Sequence, residues 1–358
     1  LEHPFVSQLG RILAVDSEHT AHGVWKPARA AVKNGVLGKL LWSQTSRSRN
    51  SQQPPWNYQL EEEANPATVN WDRWQGETAS RPFDRERFFR WRKYWEYSGG
   101  IATDLYVHHL TPLMKVTGPE FPMRAVSAGG NWFHSNEVLE VPDVFIMALD
   151  FPSRHTIVVG GSLANSVELP IVIRGHEANI LFYGPDQRRP DYLHLQPEPG
   201  FEDQLRERTK ALGFEGSWMT AHSTDQGTDF RLLSRAQQEQ MIANVLGEAE
   251  VKSAYEEAVK KSPAISTDPD QKIEYFSRLF QNRSQARAGK PVFRIDSPPS
   301  QSFTENFLHC VRTREKPVLD GELGYMVQVA AVMAVESYRQ NKVLFFNAES
   351  GKISDQPA

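Results

Sequence analysis

One short segment of the chain combines residue types that can move a proton. Residues 98–109 read SGGIATDLYVHH, so two glycines precede an apolar-periodic stretch that carries Asp104 and His108, four residues apart. If this stretch is helical, the two side chains share one face, one turn apart. A carboxylate beside an imidazole is a common arrangement for proton transfer near neutral pH. The spacing therefore indicates a candidate acid–base pair, and the alternative is a surface ion pair on an ordinary helix.

The helix that carries this pair is expected to be irregular. A proline has no backbone N–H, and the ring of Pro112 would crowd the carbonyl of His108, four residues earlier. We therefore predict a kink near His108. The preceding pair, Gly99 and Gly100, would let backbone or ligand atoms approach closely where the helix begins.

A strand–helix–strand pattern precedes this segment. Residues 11–17 (RILAVDS) predict a short buried strand, and residues 24–33 predict a helix that ends at Asn34-Gly35. Residues 37–45 predict a second strand, and this order of elements is typical of α/β proteins. Residues 46–84 then predict a long, ordered loop that carries three tryptophans.

Downstream of the pair, the pattern changes to alternating and β-branched residues. It predicts five strands, at residues 124–128, 144–151, 156–160, 166–173 and 179–183. Hairpin-like connections between these runs favour a predominantly antiparallel sheet. Later apolar periodicity predicts helices at residues 235–260, 271–285, 303–314 and 321–340.

Composition excludes several functional classes. The chain has 358 residues with a net charge of −4 and shows no basic stripe interleaved with aromatics, so a nucleic-acid partner is not expected. The most apolar runs, residues 144–149 and 326–335, are shorter than the roughly 20 residues that a membrane span needs. The first residues, LEHP, show no secretion signal, and the compartment stays open. Cys310 is the single cysteine and is expected to fill the core.

Motifs of several common enzyme classes are missing. No G-x-G-x-x-G, G-x-x-x-x-G-K-[ST], G-x-S-x-G or H-E-x-x-H pattern occurs. A mononuclear metal site needs consideration because carboxylate and imidazole ligands are available at Asp104, His108, His109, His134 and His155. Adjacent residues 108 and 109 point to different faces of a helix, so at most one of them joins Asp104. We predict no metal.

Several motifs, taken in order and spacing, resemble those of one enzyme family. They are WDRWQG (71–76), RPFD (81–84), FRWRKY (89–94), GG-x-x-x-D-x-x-x-H (99–108), DLYVHHLT (104–111), VTG (116–118), VPDV (141–144) and NFL-x-CVRTR (306–314), together with the helix exit GVLG (35–38). This set resembles the C-terminal domain of the Gfo/Idh/MocA oxidoreductases, and in particular a bacterial branch of them. The resemblance is thin between residues 184 and 300.

The resemblance implies roles for individual residues. His108 would relay the proton of the reacting hydroxyl, and Asp104 would orient or polarise the substrate or His108. Arg92 and Tyr94 in the W-R-x-Y motif, and Arg49-Asn50 after the first sheet strand, would bind substrate or cofactor. Trp56 and His109 complete the set of candidate substrate-binding residues.

The resemblance also implies the architecture and the cofactor. We expect an α/β fold with an open, predominantly antiparallel sheet, helices on one face and a preceding remnant of a Rossmann-type domain. The expected divisions are the remnant at 1–35, the substrate and oligomerisation domain at 36–320 with an insertion at about 185–300, and a C-terminal helix and tail at 321–358. NAD or NADP is implied as cofactor although its glycine fingerprint is absent from the sequence, so this polypeptide alone is not expected to bind it well.

Four functional hypotheses follow. The first is an NAD(P)-dependent oxidoreductase acting on a sugar, cyclitol or related polyol, with this chain as its substrate-binding half and the open sheet as a homo-oligomer interface. The second is a glycosidase or lyase that uses NAD transiently through a keto-sugar. The third is a non-catalytic sugar-binding module, and the fourth is a metal-dependent lyase or hydrolase that uses Asp104 and His108.

Overall fold

A computed structural model describes residues 10–51, 53–78, 80–135, 139–221, 235–247, 249–286 and 290–357. The chain forms two compact units. The first contains the described residues up to Ser217 and from Arg294 onward, and the second is Trp218–Phe293. Among the described residues, no helix combines the length and the apolar character needed to cross a bilayer.

The described helices and strands follow one another in a mixed order. The helices are α1 (Trp25–Lys33), α2 (Trp71–Gln75), α3 (Arg85–Phe89), α4 (Val107–Thr117), α5 (Glu202–Ala211), α6 (Arg235–Val245), α7 (Ala249–Lys261), α8 (Ala264–Thr267), α9 (Pro269–Ala286), α10 (Phe303–Thr313) and α11 (Gly321–Gln340). The strands are β1 (Leu40–Ser46), β2 (Arg124–Gly130), β3 (Val144–Asp150), β4 (Thr156–Ser162), β5 (Val172–Gly175), β6 (Ala178–Tyr183), β7 (Tyr192–Pro197), β8 (Ser217–Ala221), β9 (Lys290–Asp296), β10 (Leu344–Asn347) and β11 (Lys352–Ser354). Short 3₁₀ turns occupy Glu18–Ala21 and Trp91–Lys93.

The first unit is built on one sheet. Its strands lie in the order β11-β10-β2-β3-β4-β1-β5-β6-β7. The β1–β4 pair is parallel and the other pairs in this series are antiparallel, which confirms the predominantly antiparallel fold. Helices α4 and α11 pack on this sheet, α4 against β1 and α11 against β2 and β3.

Strand β3 shows how the sheet separates its two faces. Phe145, Met147 and Leu149 are buried, whereas Ile146 between them is 49% exposed. Alternate strand residues point to opposite faces, so the buried set supports the helices and the exposed residue faces away from them. The core beneath α4 and α11 therefore fixes where the start of α4 lies.

Helix ends in the first unit are well capped. Helix α1 ends at Gly35, whose φ of +68° is the left-handed conformation that glycine adopts most easily. Helix α11 begins at Asp320, whose side chain accepts the N–H of Leu323 at 2.8 Å, and α10 begins with a capping box between Ser302 and Glu305. The sequence-based bounds of these three helices are confirmed to within about two residues.

The prediction of a buried strand at residues 11–17 is wrong. This segment makes a single β-bridge, between Ala14 and Asp320, and two of its apolar side chains are exposed, Leu13 by 42% and Val15 by 36%. The segment runs past the start of α11, where Gly321 and Gly324 let those two side chains approach. One bridge against a helix start does not provide a neighbouring strand, so the apolar run stays at the surface.

The second unit has a hydrophobic core of its own. Its small core consists of Ile242, Val251 and Phe276, with partly buried Leu246, Tyr255, Ile273, Tyr275 and Leu279 around them. The predicted helix at 235–260 is in fact two helices, α6 and α7, and the short helix α8 lies between it and the predicted helix at 271–285.

Candidate functional site

The start of α4 has a wider turn than an ordinary α-helix. Ala102–Tyr106 form a π-helical turn that continues directly into α4, and Pro112 lies inside α4. Asp104 lies in this turn, so the irregularity occurs just before His108 rather than at Pro112. Tyr106 is fully buried and donates its hydroxyl to the Phe145 carbonyl at 2.6 Å, which ties the turn to β3.

The turn is preceded by a glycine that the packing requires. Gly100 has a φ of +62°, and a Cβ there would lie 2.8 Å from the Cβ of Val141. A side chain at this position would therefore be both strained and overcrowded. This close approach accounts for one of the two glycines that open the motif.

Both carboxylate oxygens of Asp104 already have partners. Trp56 donates its indole Nε1–H to Oδ2 at 2.9 Å, and Arg92 donates Nε–H to Oδ1 at 2.6 Å. These two donors come from the long aromatic loop and from the 3₁₀ turn before the helix. Asp104 makes no hydrogen bond to His108 in the described contacts, so the predicted pair shares a neighbourhood but no direct bond.

Trp56 reaches Asp104 through a strained backbone. It is 3% exposed and has a φ of +54°, the left-handed region that costs a bulky L-residue about 1–2 kcal/mol. Burial of the ring and the hydrogen bond to the carboxylate offset this cost. Strain of this kind concentrates at functional sites, and here it fixes an indole beside the Asp104 carboxylate.

Two guanidinium groups flank this unit. The Arg92 guanidinium lies 4.2 Å over the Trp91 ring, and its side chain is 29% exposed. The Arg49 guanidinium lies 5.5 Å over the Trp56 ring and is half-buried. Burial lowers the pKa of Arg49, and the positive charges of Arg47 and Arg92 lower it further, whereas the Asp104 carboxylate raises it. Arg49 therefore lies within electrostatic range of these three charges.

His108 is held by a residue that sequence reasoning did not identify. Its Nδ1 lies 3.3 Å from the hydroxyl oxygen of Ser17, which is 91 positions earlier in the chain. The ring also lies 6.1 Å from the ring of His19, in an edge-on arrangement. The Nε2 atom has no hydrogen-bond partner among the described residues. No local motif links Ser17 or His19 to His108, so only the fold could identify these neighbours.

The remaining predicted site residues lie in other settings. His109 is 4% exposed, and burial, reinforced by Arg47, lowers its pKa to about 3. Tyr94 is 3% exposed, and the Arg87 guanidinium lies 4.0 Å from the centre of its ring. Burial raises the pKa of Tyr94 to about 12. Asn50 is exposed. The structure thus brings together Asp104, Arg92, Trp56 and Arg49, whereas His109 and Tyr94 are packed into the interior.

The histidines considered as metal ligands are dispersed. The Nε2 of His155 lies 2.8 Å from the Ser43 hydroxyl inside the sheet, and the backbone N–H of His134 donates to Asp143 at 2.7 Å. Within the described ranges, no group of three or more His, Cys, Asp or Glu residues is arranged to hold a metal ion. Cys310 is 1% exposed, which confirms its packing role.

Three pairs of adjacent glycines, at 99–100, 129–130 and 160–161, allow close contacts within the chain. A Cβ at Gly129 would lie 2.1 Å from the Val144 carbonyl oxygen, and one at Gly161 would lie 1.9 Å from the Arg47 carbonyl oxygen. With Gly100 packed against Val141, all three pairs let the chain approach itself rather than form a turn that could cradle phosphates. These three glycine pairs therefore do not provide a turn that cradles the pyrophosphate of a dinucleotide.

One family model matches more than half of the chain. The family model described as the oxidoreductase family, C-terminal alpha/beta domain, matches residues 29–261. A search of curated protein sequences finds no match.

Two solved structures share the fold. They are an aldose-aldose oxidoreductase of Caulobacter crescentus complexed with glycerol (12% identity, TM-score 0.51, 95% of this chain and 65% of that one) and a protein of Thermotoga maritima described as an oxidoreductase (9% identity, TM-score 0.51, 96% and 67%). The chain thus spans about two thirds of the length of these structures.

Proposed function

The chain belongs to the Gfo/Idh/MocA oxidoreductase family, and on this premise we propose that it carries the substrate side of an NAD(P)-dependent oxidoreductase. The proposed substrate is a sugar, a cyclitol or a related polyol. The observation that supports this most is the hydrogen bonding of His108. Its Nδ1 bonds to the Ser17 hydroxyl, and its Nε2 has no partner among the described residues.

His108 is suited to take the proton of the reacting hydroxyl. Oxidation of a secondary alcohol removes a proton from oxygen and a hydride from carbon. An imidazole anchored through one nitrogen presents the other to a substrate oxygen in a fixed direction. In this proposal Nε2 accepts the hydroxyl proton, and Ser17 keeps the ring orientation.

Asp104 acts as a positioning residue in this proposal. Both of its oxygens accept hydrogen bonds, from Trp56 and Arg92, and its described contacts include no bond to His108. Its role is to hold the indole and the guanidinium beside the place where the polyol binds. Arg92, Arg49 and Trp56 then offer the donors and the flat ring that carbohydrate recognition uses.

A nicotinamide dinucleotide would supply the hydride acceptor. The glycine pairs of the described residues offer no turn for its phosphates, because each pair is occupied by backbone or side-chain contacts of the chain itself. The roles proposed for His108, Asp104, Arg92, Arg49 and Trp56 therefore lie on the substrate side. Residues other than the paired glycines hold the dinucleotide in this proposal.

We also propose that the protein forms a homo-oligomer through the open face of the sheet. Val126 pairs with Ala148 across β2 and β3, and Ile146 lies two residues from Ala148, so these side chains share the face away from the helices. Val126 is 40% exposed and Ile146 is 49% exposed. An Ile146→Glu variant should sediment as a smaller species, whereas Val167→Glu, in an exposed loop, should not. Equal sedimentation of both variants and the parent would contradict this interface.

Polyol-dependent formation of reduced nicotinamide tests the main proposal. The natural gene product is assayed by absorbance with NAD or NADP and a panel that includes glucose, sorbitol and myo-inositol. His108→Ala should lower kcat by about 10²–10⁴-fold because a general base is removed. The exposed His309→Ala is the matched control and should keep the parent rate. Turnover that survives His108→Ala would remove this residue from the mechanism.

A further inference from the structure

Arg49 is a half-buried cation with no direct anionic partner among the described residues, because the nearby Asp104 carboxylate is bound by Trp56 and Arg92. Its guanidinium makes no hydrogen bond or ion pair with any described residue, and its one described side-chain contact is the Trp56 ring at 5.5 Å. Its backbone is fixed, since its N–H donates to the Ser162 carbonyl at 2.9 Å and the residue bridges to Asn165. The guanidinium nitrogens keep contact with solvent, so the five N–H donors of this group are open to a ligand.

The neighbouring charges leave an excess of one cation. Arg47 pairs with Glu168 at 3.1 Å, and Arg92 pairs with Asp104 at 2.6 Å. Three guanidinium groups thus face two carboxylates, and Arg49 is the unmatched one. In a site partly shielded from water, an unmatched positive charge attracts an anion more strongly than it would at an open surface.

The second guanidinium has donors to spare. Arg92 uses Nε–H for Asp104, and its two terminal nitrogens make no hydrogen bond with any described residue. Asp104 and Trp56 connect the two arginines, because Trp56 bonds to the carboxylate and also lies beneath Arg49. The strained backbone of Trp56 therefore supports both the carboxylate and the unmatched cation.

Resting on the proposed function, we propose that the substrate is an acidic sugar whose oxyanion binds Arg49, with the terminal nitrogens of Arg92 as further donors. A guanidinium presents two parallel N–H groups that match either a carboxylate or a phosphate, so the shared chemistry is a planar or tetrahedral oxyanion. A neutral polyol leaves the Arg49 charge without a partner. The anionic group thus selects the substrate, while His108 acts on one of its hydroxyls.

Calorimetric titration tests this selection without depending on turnover. The probes are D-glucuronate, D-glucose 6-phosphate, D-glucose and inorganic pyrophosphate, the last standing for a dinucleotide's phosphates. We expect one of the acidic sugars to bind at least about tenfold more tightly than D-glucose, the size of one charge-assisted hydrogen bond. Whichever of the two binds more tightly identifies the oxyanion as carboxylate or phosphate.

Substitution of Arg49 then separates charge from structure. Arg49→Gln should weaken the acidic sugar by about 10- to 100-fold and D-glucose by less than about threefold. Arg49→Lys should restore part of the loss, because the charge returns without the fork of donors. Arg278→Gln, 74% exposed and in the second unit, is the control and should bind as the parent does. Thermal melting of each variant confirms that it is folded.

Several outcomes would overturn the proposal. Equal affinity for glucuronate, glucose 6-phosphate and glucose would show that no anion is selected, although His108-dependent oxidation of neutral polyols would still stand. An equal loss for acidic and neutral sugars in Arg49→Gln would make Arg49 a general sugar contact. Arg49-dependent binding of pyrophosphate alone would assign the charge to the cofactor. Absence of binding by any acidic sugar would also refute it.

Discussion

Two carboxylates, Asp143 and Asp104, each hold a tryptophan-bearing loop, but they use different donors. Asp143 is fully buried and accepts three successive backbone N–H groups, from Trp132 at 2.9 Å, Phe133 at 2.8 Å and His134 at 2.7 Å. Asp104 is bound by side chains only. A backbone N–H is a single donor and is used up by one bond.

The difference in donors separates a structural carboxylate, Asp143, from the carboxylate of the proposed binding site, Asp104. Around Asp143 every donor that reaches the carboxylate is consumed, and nothing remains for a ligand. Around Asp104 the Arg92 guanidinium keeps unused N–H groups, and Arg49 beside it has no partner among the described residues. If the proposed function holds, surplus donors around a carboxylate, rather than its burial or hydrogen bonding, distinguish the proposed site from the scaffold.

The largest effect should come from Asp143→Asn. The amide cannot accept at both oxygen positions, so at least one of the three backbone N–H groups loses its acceptor and faces an N–H₂ group instead. We expect the free energy of unfolding to fall by about 3 kcal/mol, measured by denaturant titration. Asp104→Asn in the same assay should lose less than about 1 kcal/mol. A reversed order would refute the division into scaffold and site.

Asp104→Asn should instead act on turnover. Without the carboxylate charge, Arg92 loses its ion pair, and both Arg92 and Trp56 lose their fixed positions. Displacement of positioning groups by about 1 Å costs about 100-fold, so we expect kcat/KM to fall by roughly that factor. Asp143→Asn, assayed under conditions where it is folded, should keep kcat/KM within about threefold. Steady-state kinetics with the best polyol substrate measures both.

Acid should weaken the scaffold through its buried histidines. Burial lowers the pKa of His155 from 6.5 to about 4, so the folded protein keeps this ring neutral while the unfolded chain takes up a proton. Stability is therefore complete above pH 6.5 and falls as the pH drops toward 4, by about 1.4 kcal/mol per pH unit for this group. Denaturant titrations of His155→Gln should show a smaller slope across this range than the parent. An identical slope would mean that another group carries the acid sensitivity.

The smallest expected effect is that of Trp56→Phe. Phenylalanine keeps a ring beneath Arg49 but removes the indole N–H that binds Asp104. Loss of one charge-assisted hydrogen bond in a partly open site should raise KM by about tenfold or less and leave kcat nearly unchanged. Trp132→Phe, beside Asp143, is the control, because its side-chain N–H has no part in that carboxylate's contacts. A large fall in kcat would place Trp56 closer to the reacting atoms.

The sequence was sufficient for periodic elements and insufficient for long-range partners. Helices α10 and α11 carry caps and apolar faces in their own residues, so they could be predicted almost to their ends. The polar region around β7 and α5 has no clear periodicity, and these two elements were missed. Their buried side chains pack against residues that are distant in the chain, and a local sequence pattern does not encode such contacts.

The candidate site shows the same limit. The DLYVHHLT motif identifies Asp104 and His108, and Pro112 predicts an irregular helix near His108, but the π-helical form of the turn at Ala102–Tyr106 has no signal in the sequence. The hydrogen bond from Trp56 spans 48 positions and the Ser17 contact spans 91, so neither could be read from spacing. Which residues face each other across the sheet and loop is decided by tertiary packing.

The left-handed backbone of Trp56 narrows the evolutionary routes open to this protein. Glycine at that position would relax the chain, and asparagine or aspartate would relieve part of the strain, but each would abolish the indole that binds Asp104. Most other L-residues would keep the strain and lose the indole bond, so single steps at position 56 gain little. Drift toward new substrates has an easier path through Arg49 and Asn50, which lie near it and are not constrained in this way.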